Sequence, residues 1–223
     1  MLHRLAVLSL ALGLLEGETV DALLARMDRA AAAFRSLSAK VRRVAHTAVI
    51  NENNIDVGSI LVKRGKGSEL RMLSEITEPD PKAVAYQGRK LEVFYPKIQT
   101  VQEFDVGKHR GLVEQFFLLG FGASRKELER DYSIRVLGVE TVTGETATRV
   151  EFTPQSEQVL KHLKKAELWI SETTSYPIQQ KFYQSGGDYN LVTYTGVKIN
   201  PELSDAALKL KLPKNVKREY PQK

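Results

Sequence analysis

Cysteine and histidine supply much of the nucleophilic and metal-binding chemistry of proteins, and this sequence offers little of either. The chain of 223 residues has no cysteine, which argues against a disulfide, a thiolate nucleophile, a cysteine zinc site and a lipid-modified cysteine. Its four histidines are scattered, and none lies at metal-ligand spacing from another: His3, His46, His109 and His162. We therefore predict no metal and no cofactor.

Other sequence patterns that are typical of enzymes are either absent or lie in segments where they could not form an active site. The Gly65-Lys66-Gly67 turn follows one predicted strand and leads into another, so no helix N-terminus is available to bind a phosphate. Glu127 and Glu129 lie in a charged helical segment and are expected to face solvent. No Gly-x-Ser-x-Gly nucleophile elbow occurs. The sequence therefore favours a protein that is not an enzyme.

Composition and charge are those of an ordinary soluble globular protein, with 42% hydrophobic and 27% charged residues. The 33 Lys and Arg exceed the 27 Asp and Glu by a margin that does not indicate nucleic acid as a partner. Residues 198–223 hold seven Lys and Arg against three Asp and Glu. This basic tail is either a solvated end or a surface that steers towards an acidic partner or an anionic membrane.

The first residues have the pattern of an export signal. Arg4 precedes an uncharged run of eleven residues, Leu5–Leu15. As a helix this run would span roughly 16 Å, about half of a hydrocarbon core, which suits a signal peptide better than a transmembrane helix. We predict a signal peptide over residues 1–17 and one domain over residues 18–223.

The elements that would position any site are one helix followed by many short strands. Residues 19–37 have the apolar spacing of an amphipathic helix. Residues 39–104 and 132–199 read as strands with tight turns, which predicts antiparallel pairing. Residues 111–119 and 124–131 read as two short helices between the two sets of strands.

Several predicted strands alternate apolar and polar residues, so that one face of the sheet is apolar. Phe152, Leu168 and Ile170 follow this alternation, and Ile178 and Phe182 share the parity of Gln180. An apolar sheet face must be covered or must close on itself. We therefore predict an α+β fold, in which a strongly curved antiparallel sheet is covered by the N-terminal helix and the short central helices. The alternative is a closed barrel of the lipocalin type, which the leading and central helices disfavour.

The apolar segment around Phe116 and Phe117 has two interpretations. It is either a helix buried against the sheet or a lid over a hydrophobic cavity. Gly111, Gly120 and Gly122 flank it and would let a lid move.

The order of these features resembles the outer-membrane lipoprotein carrier family, the LolA-like periplasmic chaperones. The resemblance rests on VGSILVKR at 57–64, TEPDPKAVAYQGRKLEVFYP at 77–96, ELWISETTSYPIQQKFYQ at 167–184 and LKLPKNVK at 210–217. It implies an unclosed half-barrel of antiparallel strands with helices as a lid. This sequence departs from the family pattern at Gly65, where proline often follows the strand-end arginine, and at Glu92, where an aromatic residue is usual.

The resemblance implies a monomeric periplasmic carrier that moves lipoproteins from the inner to the outer membrane. Its partners would be acylated lipoproteins or lipid, an inner-membrane ABC lipoprotein exporter and an outer-membrane receptor. The strand-end arginine of the family, which closes the lid by hydrogen bonds to backbone carbonyls, matches Arg64, with Arg71 as a rival.

Two hypotheses remain open. The first is the carrier, which predicts a ligand-binding cavity under a helical lid containing Phe116 and Phe117. The residues predicted to line this cavity are Met72, Val84, Val93, Phe152, Leu168, Ile170, Ile178 and Phe182. The second is a regulatory, sensor or lipid-binding module on the same fold, and its regulatory form predicts a concave face packed solid by the protein's own side chains. An enzyme is a third and weaker hypothesis, which would need a polar cleft with perturbed ionisable groups.

Overall fold

The computed structural model describes residues 18–65 and 69–221. Within them, five side chains lie outside the description: His109, Leu112, Gln115, Phe116 and Phe117. The predicted signal peptide and most of the Gly65-Lys66-Gly67 turn also lie outside the described residues. The helices are α1 (Val20–Ala33), α2 (Arg110–Leu118), α3 (Arg125–Asp131) and α4 (Glu157–Leu160). None of these helices is both long enough and apolar enough to span a bilayer.

The described strands form a single open sheet of twelve strands. Along the sheet their order is β12, β6, β5, β4, β3, β2, β1, β11, β10, β9, β8, β7. Neighbours pair antiparallel, except that β12 pairs parallel to β6. The strands are β1 (Ser36–Thr47), β2 (Glu52–Arg64), β3 (Leu70–Glu78), β4 (Lys82–Gln87), β5 (Lys90–Tyr95), β6 (Thr100–Asp105), β7 (Tyr132–Val142), β8 (Glu145–Pro154), β9 (Lys165–Ser171), β10 (Pro177–Tyr183), β11 (Tyr189–Ile199) and β12 (Lys217–Glu219).

Helix α1 begins as predicted and ends earlier. The Thr19 hydroxyl accepts a hydrogen bond from the Ala22 amide at 3.2 Å and caps the first turn. The helix ends at Ala33 rather than at residue 37, because β1 begins at Ser36 and pairs with both β2 and β11. Two ladders of backbone hydrogen bonds outweigh the helical periodicity of these last residues.

The C-terminal region lies against the outer face and one edge of the sheet. Asp205–Leu208 forms a 3-10 turn, and Leu208 packs against Leu73 and Ala85 on the outer face of the sheet. The chain then reaches the far edge, where β12 pairs with β6. Residues 200–221, named here the C-terminal strap, therefore cross the outer face from β11 to β6.

The main core lies between the helices and the inner face of one half of the sheet. Leu23, Leu24 and Met27 of α1 pack with Leu128 of α3 against strands β7 to β10. A second core joins the end of α1 to strands β1 to β4 and β11. The helices thus cover one half of the inner face more fully than the other.

Candidate functional site

The half of the inner face beneath α1 and α3 is packed solid. Phe152, Leu168 and Ile170, which the sequence predicts to line a cavity, are all 0% exposed and belong to the main core. Their inward orientation agrees with the predicted alternation. Their surroundings are the protein's own side chains, so they serve packing in this structure.

The other half of the inner face holds a cavity of about 390 Å³. Its walls are mainly aliphatic and aromatic, and they come from strands β1 to β4, β10 and β11. Representative lining residues are Val41, Ile60, Met72, Val84, Phe182 and Val192. Three predicted site residues, Met72, Val84 and Phe182, therefore lie where the sequence places them.

Two other predicted residues lie elsewhere. Val93 pairs with Val84 across β4 and β5 and is half-buried, but it is not part of the cavity wall. Ile178 packs with Ala147 and Trp169 in a cluster separate from the cavity. The pairing of β9 with β10 shifts its register between Pro177 and Gln179. Because of this irregularity, the side chain of Ile178 does not lie on the same face of the sheet as that of Phe182. The side chains of Phe116 and Phe117 lie outside the described residues.

Aromatic side chains close one end of the cavity. Phe121 belongs to residues 119–123, named here the α2–α3 segment, and it is 4% exposed. Its ring stacks on Tyr176 at 6.2 Å and meets Tyr194 edge-on at 5.4 Å. Phe34, at the end of α1, lies 6.4 Å from the Phe121 ring. A single residue of the α2–α3 segment therefore plugs this end of the cavity.

A buried polar chain holds the α2–α3 segment to the sheet. The Gln180 side-chain amide donates to the Leu119 carbonyl at 2.7 Å, and the Tyr194 hydroxyl donates to the Gln180 oxygen at 2.6 Å. Burial raises the pKa of Tyr194, so its hydroxyl stays a neutral donor. Gln180 shares its strand face with Phe182, and its polar atoms are satisfied inside an apolar site.

Arg64 makes the second attachment of the α2–α3 segment. Its Nη2 donates to the Gly122 carbonyl at 2.7 Å, and its guanidinium lies 5.8 Å from the centre of the Phe34 ring. Arg71 instead contacts Glu69 and Asp205, the latter in the C-terminal strap. Of the two arginines left open by the sequence, Arg64 is the one that contacts the segment over the cavity.

The opposite end of the cavity is polar, which the sequence analysis missed. The Arg43 guanidinium bonds to Asp56 through Nε at 2.9 Å and through Nη2, and to the Asn190 oxygen at 3.2 Å. Lys82 lines the same cavity, and its partner across β3 and β4 is Ile76. The sequence does contain a pattern that predicts this position. Arg43 lies two residues after Val41 in β1, so both side chains point to the inner face of the sheet.

A second concavity of about 530 Å³ lies between α2 and α3. Its wall includes charged residues, among them Lys108, Glu114, Glu127, Arg130 and Asp131. Such a wall is unfavourable for hydrocarbon, because charged groups retain their water. The apolar cavity is therefore the better candidate for a binding site.

Perturbed carboxylates lie outside the cavity. Burial alone would raise the pKa of Glu167, but hydrogen bonds from Lys165 and Arg149 outweigh it and lower that pKa. Lys165 also lowers the pKa of Glu151 by a hydrogen bond at 2.7 Å. These groups form ion pairs across strands β8 and β9. Within the described ranges, no group of three or more His, Asp and Glu side chains is placed to hold a metal ion.

No protein-family model and no curated protein sequence matches this chain. Solved structures do share its fold. An uncharacterized conserved protein from Thermus thermophilus is 12% identical, with a TM-score of 0.57 over 91% of this chain and 99% of that one. MucB is 14% identical with a TM-score of 0.53, and the match covers 85% of this chain and 62% of MucB. The lipoprotein LppX of Mycobacterium tuberculosis is 15% identical with a TM-score of 0.50, over 84% of this chain and 100% of LppX.

These matches define the class of fold. The chain spans less than two thirds of the length of MucB, and all three identities are low enough that the likeness concerns the fold alone. The open, almost wholly antiparallel sheet with helices on its inner face confirms the predicted α+β fold, an unclosed half-barrel covered by helices.

Proposed function

We propose that this protein is a periplasmic carrier that shelters acyl chains of lipoproteins or lipids, without catalysing a reaction. The observation that carries the proposal is the apolar cavity closed at one end by Phe121. Each methylene removed from water gains about 0.8 kcal/mol, so a dry apolar wall is the main requirement for holding an acyl chain.

The size of the cavity indicates how much hydrocarbon it holds in this conformation. An apolar cavity of about 150 Å³ accommodates one benzene molecule, so 390 Å³ corresponds to on the order of fifteen carbons. This is one acyl chain. A cargo with several chains would need the α2–α3 segment to move away from the sheet.

The attachments of that segment suit a reversible opening. Arg64 and Gln180 hold it through backbone carbonyls, which water can satisfy when the segment leaves. Phe121 would vacate the space that additional chains occupy. The α2–α3 segment would thus act as a lid, and Arg64 as its latch.

By resemblance to LolA-like carriers, the donor of the cargo would be an inner-membrane ABC lipoprotein exporter and the acceptor an outer-membrane receptor. The regulatory alternative predicts a concave face packed solid. The open cavity beside the packed half favours the carrier over that alternative.

The test is native mass spectrometry of protein purified from the periplasm, comparing wild type with Arg64→Leu. If closure competes with cargo, removal of the latch raises the open population and with it the amount of bound lipid or lipoprotein, severalfold. Arg42→Leu is the matched control, because Arg42 lies exposed on the outer face of β1. Bare protein in every sample, with no gain for Arg64→Leu, would contradict the carrier.

A further inference from the structure

The cavity changes character along its length. Phe34 and Phe121 close one end, and the middle is aliphatic. At the far end, four polar residues form what is named here the polar rim: Arg43, Asp56, Lys82 and Asn190. Arg43 pairs with Asp56 across β1 and β2 and bonds to Asn190. Lys82 lines the same cavity from β4, two strands away from Asp56.

The rim carries an excess of positive charge. Asp56 is 7% exposed and is occupied by Arg43, so this pair is neutral in sum. Three of the five N–H groups of Arg43 are used, by Asp56 and Asn190, which leaves two donors. Lys82 adds a further charge. Within the described ranges its ammonium makes no ion pair within 4 Å. Asp80 is bonded to Lys97 at 2.6 Å, and the charge of Lys82 also contributes, less than Lys97, to lowering the pKa of Asp80.

We propose that the cavity binds a single-chain amphiphile with an anionic head, its tail towards Phe121 and its head at Lys82 and Arg43. This inference rests on the proposed function and specifies the ligand of the same cavity. The cavity volume matches one chain, and the polar rim supplies a cation and free guanidinium donors at the end of the aliphatic wall. Carboxylate and phosphate heads share the required chemistry, because both accept hydrogen bonds from Lys and Arg.

The opposite orientation is disfavoured on the same grounds. At the lid end, Gln180 and Tyr194 bond to each other and to the Leu119 carbonyl, so they offer a head group little. Arg64, the cation near that end, is bonded to the Gly122 carbonyl, acts on Glu127 and is not part of the cavity wall. A charged head buried at the lid end would therefore lose its water without a cation in the wall to receive it. The aromatic residues at one end of the cavity and the cationic residues at the other therefore determine the orientation of the bound ligand and the negative charge of its head group.

The experiment measures dissociation constants by titration calorimetry at low ionic strength and below the critical micelle concentration. The ligands are tetradecanoate, tetradecyl phosphate and the uncharged tetradecanol, which share one chain length. We expect at least one anionic ligand to bind about fivefold more tightly than the alcohol, the upper end for a solvent-accessible charge pair. Whichever anion binds more tightly identifies the head group, and added salt reduces the preference.

Variants at Lys82 test the assignment of the charge. Lys82→Gln is expected to bring the affinities of the anionic ligands close to that of the alcohol measured with the same variant. Lys82→Glu is expected to reverse the order. Lys40→Gln, on the exposed outer face of β1, removes the same charge and should leave the preference intact.

The outcomes separate the two proposals. Equal binding of all three ligands, unchanged by Lys82→Gln, overturns the anionic head while the carrier proposal stands. Failure of the alcohol and both anions to bind contradicts the apolar cavity as a binding site and removes the basis of both proposals. An unchanged preference for anions in Lys82→Glu also overturns the assignment to the polar rim.

Discussion

The side chain of Arg64 donates one hydrogen bond to the backbone carbonyl of Gly122. This contact also requires that residue 122 has no side chain, because the guanidinium leaves no room for a Cβ atom. A Cβ added to Gly122 would lie 2.5 Å from Arg64 Nη2 and 3.0 Å from a Leu118 methyl. Both are ends of flexible side chains, so the guanidinium can move away without unfolding the protein. Absence of a side chain at this position thus preserves the latch geometry.

We predict that Gly122→Ala opens the latch while keeping the positive charge of Arg64. The displaced guanidinium loses its bond to the Gly122 carbonyl, so bound lipid should increase as in Arg64→Leu, by native mass spectrometry. Arg42→Leu, on the exposed outer face of β1 and away from the lid, is again the control. Identical lipid occupancy in Gly122→Ala and wild type would argue against the latch.

Gly120 plays a different part, although it lies only two residues away. It has φ of +82°, and a Cβ would lie 2.7 Å from a methyl group of the fully buried Leu168. Any side chain there is strained by the backbone and crowded by the core. Gly120 therefore serves the close approach of the α2–α3 segment to the sheet, and its replacement would test stability rather than opening.

The C-terminal strap connects several strands of the sheet on its outer face. It crosses the outer face, and Asp205 within it accepts hydrogen bonds or ion pairs from Lys63 and Arg71. Leu208 is 5% exposed and anchors the strap to Leu73 and Ala85. The strap therefore ties β2, β3 and β4 together from outside, while the cavity occupies their inner face.

We predict that Leu208→Ala destabilises the protein by about 2 kcal/mol, at the low end for a buried leucine because the site is close to solvent. The measurement is the urea midpoint, with the dependence on denaturant unchanged. Ile98→Ala, at a residue 67% exposed, should change the free energy of unfolding by less than about 0.5 kcal/mol. Equal effects of the two substitutions would show that the strap does not contribute.

Ion pairs on the outer face link the far half of the sheet. Glu167 is 2% exposed and bonds to Arg149 and Lys165 at 2.7 and 2.8 Å. Trp169 and Arg149 bond to Glu140 and lower its pKa. Strands β7, β8 and β9 are thereby joined by side chains as well as by the backbone.

The whole molecule should lose stability in acid as these carboxylates protonate. The folded-state pKa values of Glu140, Glu151 and Glu167 are lowered, so their stabilisation is present above about pH 4.5 and is lost as pH falls further. Urea unfolding at neutral pH and near pH 3 measures this loss.

Substitution of Glu167 tests how much of the pH dependence of stability comes from this carboxylate. Glu167→Gln should destabilise the protein at neutral pH, and the gap to wild type should narrow in acid. The control is Glu202→Gln, an exposed residue without an ion pair in the described part of the chain. A gap for Glu167→Gln that stays constant with pH would contradict the network as its source.

Local pattern was sufficient to predict much of this molecule. Thr19 and Ser124 cap α1 and α3 where the sequence predicts helices to begin, and alternation assigned Met72 and Phe182 to the inner face. These features depend on neighbours a few residues apart, through turn hydrogen bonds and the two-residue period of a strand.

Tertiary packing decided which part of the inner face is open. Phe152 and Phe182 follow the same alternation, yet α1 and α3 bury the first completely, while the second borders the cavity. The position of a helix over a sheet depends on contacts between residues more than a hundred positions apart, such as the hydrogen bond that the Tyr176 hydroxyl donates to the Ala30 carbonyl of α1 at 2.7 Å. The irregular register beside Ile178 and the Arg43–Asp56 pair arise in the same way, from pairing between strands. Sequence periodicity therefore determined which residues face inward, and long-range packing determined which of them leave room for a ligand.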